Sequence, residues 1–346
     1  MLTKKQVSEI KEHLDKAQNP LFFFDNDQDG LCSYLLLRRY LERGKGVAVK
    51  TSPMNKDYLR KVDELNADYV FVLDVPNVKN VFFKGLLERN IPIVWIDHHE
   101  NNLNEIPDFV NYYNPLYNRS KSNEPVTELC YQISGKKEDI WIAVLGNISD
   151  RFIPKYYSEF KKNFSDLSLD SEDAAEIYYS SGIGNVSQIL GAFLKDKTSN
   201  VVRGLNFLVK VKSPYEILNQ NEKNYFMHER FNEINSKYKK FLSKAKEIGK
   251  KSGKVLFFEY AGDTSMSADI ANGLKYLFKD KLIVVAYLKG ARINISVRGD
   301  KVKDILLESV KNLENSVAGG HENAAGAQIS KEDFEKFKEN FLANAS

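Results

Sequence analysis

The chain has 346 residues, of which 42% are hydrophobic and 28% are charged. That length suggests two domains, and the balance allows a packed core, which excludes a wholly disordered chain. Lysine and arginine number 50 against 47 acidic residues, a formal net charge of +3, so the overall charge indicates no partner class and any charged binding surface must be local.

Cysteine content and hydropathy favour a reducing compartment without a membrane. The two cysteines, Cys32 and Cys130, lie in apolar stretches, where buried free thiols are expected. No apolar run approaches the roughly 20 residues needed to cross a bilayer, and the first residues lack a hydrophobic signal core. We therefore expect a cytoplasmic protein with no membrane association.

The first half of the chain alternates short apolar runs with helical patterns. Strands are predicted at residues 21–24, 45–51, 69–73 and 91–96, with helices over 31–41 and 56–65. Strands that are apolar on both faces and separated by helices are typical of a parallel sheet covered on both sides.

Acidic residues follow three of these strands. Asp25, Asp74 and Asp97 each stand where an apolar run ends. Ligands of parallel α/β sheets bind in the crevice outside the carboxyl ends of the strands. The three carboxylates are therefore expected to lie together at that edge.

The sequence pattern of the second half predicts a helical region followed by another α/β block. Residues 141–212 are mainly helical in pattern, and 215–251 predict one extended helix. Further strands are predicted at 254–259, 282–288 and 292–297, with helices over 267–278, 302–313 and 334–343. The predicted fold class is α/β: an N-terminal parallel-sheet lobe over 1–190, a long helical connector over 191–252, and a smaller C-terminal α/β lobe over 253–346.

Residues 25–30 form an acidic loop, Asp-Asn-Asp-Gln-Asp-Gly, between a strand and a helix. The carboxylates of Asp25, Asp27 and Asp29 repel one another unless a cation neutralises them. A calcium loop of the EF-hand type is excluded, since Leu36 stands where its glutamate belongs and a strand precedes. A solvated turn in which Asp29 caps the following helix remains an alternative.

Further candidate ligands follow later apolar segments. A lone Asp74 after a strand is usually a turn former, and Asp150 follows an apolar segment that ends in a polar turn. Asp97, His98 and His99 stand in sequence after residues 91–96. Histidines beside carboxylates are the ligand mixture that suits Mn²⁺. Their joint occurrence favours a metal centre over a set of unrelated turns.

These motifs resemble those of the DHH phosphoesterase superfamily, which is named for the Asp-His-His found here at 97–99. Four motifs occur in the family's order: Asp25, Asp27 and Asp29; Asp74; Asp97, His98 and His99; and Asp150. In the C-terminal lobe, the Gly319-Gly320-His321 sequence and the upstream Arg298 are similar to signatures of the DHH-associated substrate domain. The resemblance spans nearly the whole chain.

One departure concerns the first motif. Many relatives carry a histidine shortly before the first aspartate pair, whereas this chain has Leu-Phe-Phe-Phe at 21–24. Either Asp25, together with Asp29, takes the place of that histidine, or the first cation binds weakly.

The resemblance implies two divalent cations, Mn²⁺ in preference to Mg²⁺. Asp74 would bridge them, Asp25 would hold one, and Asp27, His98 and Asp150 would hold the other. His99, Asp97 and Asp29 are the implied catalytic residues, with His99 on the scissile phosphate and Asp97 orienting His98 or the turn. Arg298, Gly319, Gly320 and His321 would bind a substrate phosphate.

By the same resemblance we expect a RecJ-like exonuclease of archaeal type. It would hydrolyse single-stranded DNA, RNA or short oligonucleotides from an end to nucleoside 5′-monophosphates. A nanoRNase or cyclic-dinucleotide phosphodiesterase is the nearest alternative. A replisome scaffold with weakened catalysis, bound to a replication or repair protein, is an alternative of another class. The locally basic region 195–254 would either track a nucleic-acid backbone or form a solvated helix face.

Overall fold

The computed structural model describes residues 1–345, which divide into two compact units, one over 1–231 and one from 232 onward. The first unit contains a five-stranded sheet. Its strands are β1 (Pro20–Asp25), β2 (Lys45–Val49), β3 (Tyr69–Leu73), β4 (Ile93–Ile96) and β5 (Asn111–Tyr113). The order is β2-β1-β3-β4-β5 and every pair is parallel. The predicted parallel sheet is confirmed, with β5 as a strand that the sequence pattern did not reveal.

Both faces of this sheet are buried, as the continuous apolar runs predicted. Successive side chains of a strand point to opposite faces. Phe22 and Phe24 belong to one hydrophobic cluster, and Leu21 and Phe23 to the cluster on the other face. All four side chains are almost fully excluded from solvent.

Helices cover both faces. In chain order, the helices up to residue 251 are α1 (Lys4–Lys16), α2 (Gln28–Leu41), α3 (Leu59–Glu64), α4 (Asn80–Glu88), α5 (Val126–Ser134), α6 (Ile140–Ser149), α7 (Tyr157–Asn163), α8 (Ala174–Ser180), α9 (Gly182–Leu194), α10 (Thr198–Leu208), α11 (Tyr215–Leu218) and α12 (Tyr225–Lys251), the last of which continues into the second unit. The helix predicted over 56–65 is a 3₁₀ turn, Lys56–Tyr58, followed by α3. Further 3₁₀ turns are Leu103–Glu105, Pro115–Tyr117 and Lys137–Asp139.

The single long helix predicted over 215–251 is wrong in its first turns. The chain leaves the helical path after α11 and resumes it at Tyr225. Asn224 donates to the carbonyls of Glu216 and Asn219, and its Oδ1 accepts the amide of Asn221. Asparagine side chains that bind the backbone in this way compete with helical hydrogen bonds.

The second unit is a mixed five-stranded sheet with helices. Its elements are β6 (Val255–Ala261), α13 (Ser267–Leu277), β7 (Leu282–Lys289), β8 (Arg292–Arg298), α14 (Val302–Val310), β9 (Val317–His321), β10 (Ala324–Ser330) and α15 (Phe334–Asn344). The order is β6-β7-β8-β10-β9, with β6 and β7 parallel and the other pairs antiparallel. Val284, Val297, Leu306 and Phe337 lie in its core. The α/β prediction is confirmed, although β9 and β10 were not predicted.

Among the described residues, the helices include none with the length and apolar character that a membrane span requires.

Candidate metal centre

The first acidic loop is fixed by the start of α2. Asp25 is the last residue of β1, and Asp27 is the N-cap of α2, where its Oδ1 accepts the Gly30 amide at 2.9 Å. A capping carboxylate satisfies an amide that the helix itself leaves unpaired. A Cβ on Gly30 would lie 2.5 Å from the Asp25 carbonyl oxygen, so glycine allows the helix to begin this close to the strand. The cap is therefore Asp27 and not Asp29.

Asp74 brings a third carboxylate to the same edge. The chain passes from β1 to β2 on one side of β1 and later to β3 on its other side, so the direction of the connections reverses between β1 and β3. Parallel sheets bind ligands outside the strand ends at such a switch point. Ligand atoms of Asp25, Asp27 and Asp74 lie within 4.8 Å of one another there. Of the three strand-end carboxylates predicted to lie together, Asp25 and Asp74 are in this group, and Asp97 forms a separate close group with Asp74 and His99.

Asp74 is buried in an unfavourable backbone conformation. Its φ is 62°, which costs about 1–3 kcal/mol for a residue other than glycine, and its amide donates to the Ile96 carbonyl at 3.0 Å. Its side chain is almost fully buried, and Oδ1 accepts no hydrogen bond from any described residue. A buried carboxylate oxygen without a donor is costly unless a cation binds it.

His98 and Asp150 lie beside Asp74. The Nε2 atom of His98 is 3.4 Å from Asp74 Oδ1 and 3.8 Å from Asp150 Oδ2. Both distances are longer than a normal hydrogen bond. Asp150 follows α6 directly and its side chain is partly exposed, whereas His98 is buried. The ring and the two carboxylates are thus close enough to share a cation without being hydrogen-bonded through these atoms.

Asp97 pairs with His99. The Nδ1 atom of His99 lies 2.8 Å from Asp97 Oδ1, and the other carboxylate oxygen accepts Nδ2 of Asn101 at 2.6 Å. Burial lowers the pKa of His99, but the Asp97 carboxylate, with Asp150 and Asp25, outweighs it and raises that pKa to about 9. The Asp97 carboxylate therefore favours the protonated ring of His99 and holds it in orientation.

Asp29 anchors a second helix. Its two carboxylate oxygens accept the amides of Val126 at 2.9 Å and Thr127 at 2.7 Å, at the first turn of α5. The Thr127 hydroxyl donates to the Asp29 carbonyl at 3.0 Å. One Asp29 oxygen also lies within 4.8 Å of ligand atoms of Asp74 and His98. The structure thus gives Asp29 a positioning contact, and its catalytic role stays a prediction.

Burial, together with the neighbouring acids, raises the pKa values of four of these carboxyls. Burial and the neighbouring Asp27 raise the pKa of Asp25 to about 8. Burial raises the pKa of Asp27 to about 6, with Asp150 adding to it and the Gly30 amide opposing it. Burial and the surrounding acids also raise the pKa values of Asp29 and Asp74 well above their ordinary range. Carboxyls that share a site without a counter-charge retain protons.

The residues present fit divalent cations. Carboxylate oxygens with an imidazole are the donors that suit Mn²⁺, and Mg²⁺ accepts the carboxylates. Asp74 belongs to three of the close acid and histidine groups within the first unit: with Asp25 and Asp27, with Asp29 and His98, and with Asp97 and His99. Its buried Oδ1 accepts no hydrogen bond from the described residues, although both histidines lie nearby, and a cation would explain this arrangement.

Two of the four candidate residues of the second unit, Arg298 and His321, lie in one row of its sheet. Arg298 ends β8 and His321 ends β9, and both are in register with Ala324 of the intervening β10. Residues opposite each other in antiparallel strands share a face. Arg298 donates through Nε to Asn272 at 2.6 Å. Gly320 has φ 135°, and a Cβ there would lie 2.5 Å from the Ala324 carbonyl oxygen, so the strand requires glycine at this position.

Arg151 is a residue that the sequence analysis missed. Its guanidinium carbon lies 4.7 Å and 5.2 Å from the ring centroids of Tyr178 and Tyr179. Its Nη2 donates to the Tyr179 hydroxyl at 3.3 Å, while Nη1 is buried without a hydrogen-bond partner among the described residues. The arginine follows Asp150 directly, but its aromatic neighbours on α8 are distant in sequence, so no local pattern could have indicated the arrangement.

Comparisons with protein families match both halves of the chain. The DHH family, N-terminal domain, matches residues 21–146, and the DHHA1 domain matches residues 251–345. No curated protein matches the chain in sequence.

Solved structures share the fold at low sequence identity. RecJ from Thermus thermophilus in complex with Mn²⁺ has a TM-score of 0.70 at 15% identity, with 99% of this chain and 54% of that chain covered. The chain thus spans about half the length of that protein. Exonuclease RecJ bound to manganese has a TM-score of 0.64 at 14% identity, with 99% of this chain and 93% of that chain covered. CDC45 from Entamoeba histolytica has a TM-score of 0.55 at 12% sequence identity, with 99% of each chain covered.

At these identities the structural likeness shows the fold alone, while the two domain matches give the family. The chain belongs to the DHH superfamily, with an N-terminal DHH domain, a C-terminal DHHA1 domain and a RecJ-like fold.

Proposed function

We propose that the protein is a metal-dependent phosphodiesterase, a RecJ-like exonuclease that hydrolyses single-stranded DNA or RNA from an end to nucleoside 5′-monophosphates. The observation that carries this proposal is the buried Asp74 oxygen without a donor, surrounded by acids and two histidines. RecJ structures with the same fold contain Mn²⁺ or Mg²⁺, which supports two such cations here, Mn²⁺ in preference.

The proposed ligands are the residues that converge at the strand ends. Asp74 would be shared by the two cations, Asp25 would hold one, and Asp27, His98 and Asp150 would hold the other. When bound, such a pair activates water and neutralises charge on a phosphate. The raised pKa values of Asp25 and Asp27 mean that cation binding displaces protons from these carboxyls.

The remaining residues of the site bind the scissile phosphate or hold other groups of the site in position. His99 donates a charge-assisted hydrogen bond through Nε2 to an oxygen of the scissile phosphate, since Nδ1 is engaged by Asp97. Asn101 fixes the other oxygen of Asp97, and so keeps the ring in one orientation. Asp29 holds α5 against the start of α2.

The second unit is proposed to bind a phosphate of the substrate strand. Arg298 and His321 supply charge and hydrogen bonds, and Gly319 and Gly320 leave the backbone of β9 accessible. Gly319 has open space where a Cβ would lie.

A replisome scaffold is the second candidate, because CDC45 shares the fold over the whole chain. The acids and histidines of the four motifs are present in this sequence, which favours catalysis, although Leu-Phe-Phe-Phe at 21–24 stands where many relatives carry a histidine. Binding to a replication or repair protein is compatible with both candidates.

The test is product analysis on end-labelled single-stranded DNA and RNA of graded length, with Mn²⁺ or Mg²⁺. We expect nucleoside 5′-monophosphates released stepwise, and a loss of rate of more than about 100-fold in Asp74→Asn, since changes behind the ligands already cost 10–100-fold. The exposed Asp108→Asn is the matched control and should retain full activity.

Three other outcomes would contradict the exonuclease proposal or its metal site. Cleavage confined to dinucleotides would favour the nanoRNase alternative. Absence of hydrolysis on every substrate would favour the scaffold. Equal activity of wild type and Asp74→Asn would show that hydrolysis does not depend on cations held by Asp74.

A further inference from the structure

A cavity of about 1030 Å³ lies beside the edge strand β2 of the first unit. Its walls are β2, α10, the segment from the 3₁₀ turn to the end of α3, and part of α2. None of the acids or histidines of the candidate metal centre lines it. We refer to this cavity as the β2 groove.

One wall of the β2 groove is the free side of a sheet. Within the described chain, β2 pairs only with β1. Gly46, Val47 and Ala48 of β2 are partly exposed and line the groove. An edge strand presents unpaired amides and carbonyls that can bind another extended chain.

The floor of the β2 groove is aliphatic. Ala48 of β2 packs on the same side of the sheet as Val201 and Leu205 of α10, both almost fully buried, and Val202 lies beside them. Val47 lines the groove from the opposite face of the sheet. Val202 is 50% exposed, although it lies on a helix that is otherwise anchored by buried residues. Exposed aliphatic side chains in a concave site are suited to anchor apolar side chains of a ligand.

The rim of the β2 groove is cationic. Lys45, Lys56 and Lys210 line it and are exposed, and among the described residues none of the three forms an ion pair. Asp57 is the one acidic residue in the lining that the structure describes. The rim therefore attracts a ligand that carries carboxylates or phosphates.

The aromatic residues of the β2 groove are packed and do not offer a surface for bases. Tyr34 is almost fully buried and stacks on Phe24, with ring centroids 5.2 Å apart. Tyr58 packs edge-on against Phe23, and its hydroxyl accepts the Lys50 amide at 2.9 Å. Single-stranded nucleic acids bind through basic grooves with exposed stacking platforms. An aliphatic floor with packed rings favours a peptide over a nucleic acid.

The walls of the β2 groove are held together before any ligand binds. The Lys50 ammonium, directly after β2, donates to the Asp196 carbonyl before α10 at 2.9 Å. Arg38 of α2 donates through Nε to the Gly44 carbonyl at 2.8 Å, directly before β2. A preformed site loses less conformational entropy on binding.

We propose that the β2 groove binds an extended acidic segment of a partner protein, which adds a strand to β2, places aliphatic side chains on the floor and pairs its carboxylates with the lysine rim.

The test uses a fluorescein-labelled peptide of about eight residues, long enough to span the five residues of β2, in which Asp and Glu alternate with Leu, Ile and Val. Fluorescence anisotropy measures its binding to the full chain without added metal. We expect at least about tenfold weaker binding, equivalent to about 1.4 kcal/mol, in Val202→Asp and in the triple variant Lys45→Glu, Lys56→Glu, Lys210→Glu. A peptide N-methylated at alternate amides should bind weakly as well, because it cannot complete a strand ladder.

The control variant reverses three exposed lysines of the first unit outside the β2 groove, Lys4→Glu, Lys84→Glu and Lys162→Glu, and should bind the peptide like wild type. The proposal is overturned if the peptide does not bind, if both triple variants bind it equally, or if N-methylation has no effect. It is also overturned if a single-stranded oligonucleotide of equal charge displaces the peptide, and if the triple variant of Lys45, Lys56 and Lys210 weakens binding of the oligonucleotide more than binding of the peptide. None of these readouts uses hydrolysis, so failure here leaves the nuclease proposal separately testable.

Discussion

The Asp97 carboxylate influences the protonation of His99, the residue proposed to contact the scissile phosphate. Asp97 is fully buried and is bound by both His99 and Asn101. Its negative charge opposes the effect of burial on the imidazole, which would otherwise favour the neutral ring. Asp97 is therefore the largest of the acidic influences that favour the protonated ring of His99, with Asp150 and Asp25 adding to it.

Replacing Asp97 with Asn should lower the pKa of His99 from about 9, because burial then acts with less opposition. A histidine ring proton followed by NMR through a pH titration gives this value, and we expect hydrolysis to fall about 10–100-fold in parallel. Asp170→Asn, at an exposed carboxylate paired with Lys161, is the control. An unchanged His99 titration in the Asp97 variant would show that the carboxylate does not hold the proton there.

The candidate residues were predictable at this scale because acids that follow apolar strands recur in order along the sequence. Their pairings were not. Asp27 caps α2 while Asp29 binds α5, although both stand in the same acidic loop. The choice depends on where α5 begins in space, about a hundred residues later, and the sequence around the loop does not contain that information.

At the scale of elements, the site depends on how closely α2 starts to β1. Gly30 lies against the backbone of Asp25 with no room for a Cβ. Backbone atoms cannot move aside as the end of a flexible side chain can. The helix start and the strand end therefore form one rigid corner that sets the positions of Asp25 and Asp27.

Gly30→Ala should reduce the free energy of unfolding by about 1–3 kcal/mol, as is typical of overpacking, and should weaken Mn²⁺ binding as the corner opens. Urea denaturation and calorimetric titration measure the two effects. Gly253→Ala, where a Cβ meets open space, should change stability by no more than about 0.5 kcal/mol. If Gly30→Ala and Gly253→Ala behaved alike, the close contact would have no part in forming the site.

The elements that were predicted are those with strong local patterns. β1 and β3 are apolar on both faces, so their type followed from composition. β9 contains Gly319 and Gly320, which disfavour strands in isolation, and it forms through its ladder with β10. The break before α12 depends on Asn224 contacts, which helical periodicity does not reveal.

At the scale of the whole molecule, the acidic cluster makes stability depend on pH when no cation is bound. Carboxyls of an unfolded chain titrate near pH 4, whereas Asp25 and Asp27 in the folded protein titrate near 8 and 6. The folded state therefore holds more protons between these values, and the stability that this proton binding contributes is lost as pH rises.

In the presence of EDTA, the thermal unfolding midpoint should fall between about pH 5 and about pH 8, and Mn²⁺ should restore it most strongly at the higher pH. Asp25→Asn should flatten the decline, because it removes a carboxyl whose pKa is raised to about 8 in the folded protein. A midpoint in EDTA that rises over this range, with the same slope in Asp25→Asn, would contradict the account.

The division of the chain into two units was predictable from its length and from the helical region between two α/β blocks. The predicted boundaries at 190 and 252 stay a prediction. The chain divides between residues 231 and 232, inside α12. A continuous helix has no linker composition that would mark this division in the sequence.

The central claim is that Asp74 and its neighbours hold divalent cations. Anomalous diffraction at the manganese edge, from crystals soaked in Mn²⁺, tests it most directly. We predict two anomalous peaks, both within bonding distance of Asp74, with Asp25 at one and Asp27, His98 and Asp150 at the other. Crystals that show manganese elsewhere, or none beside Asp74, would contradict the account.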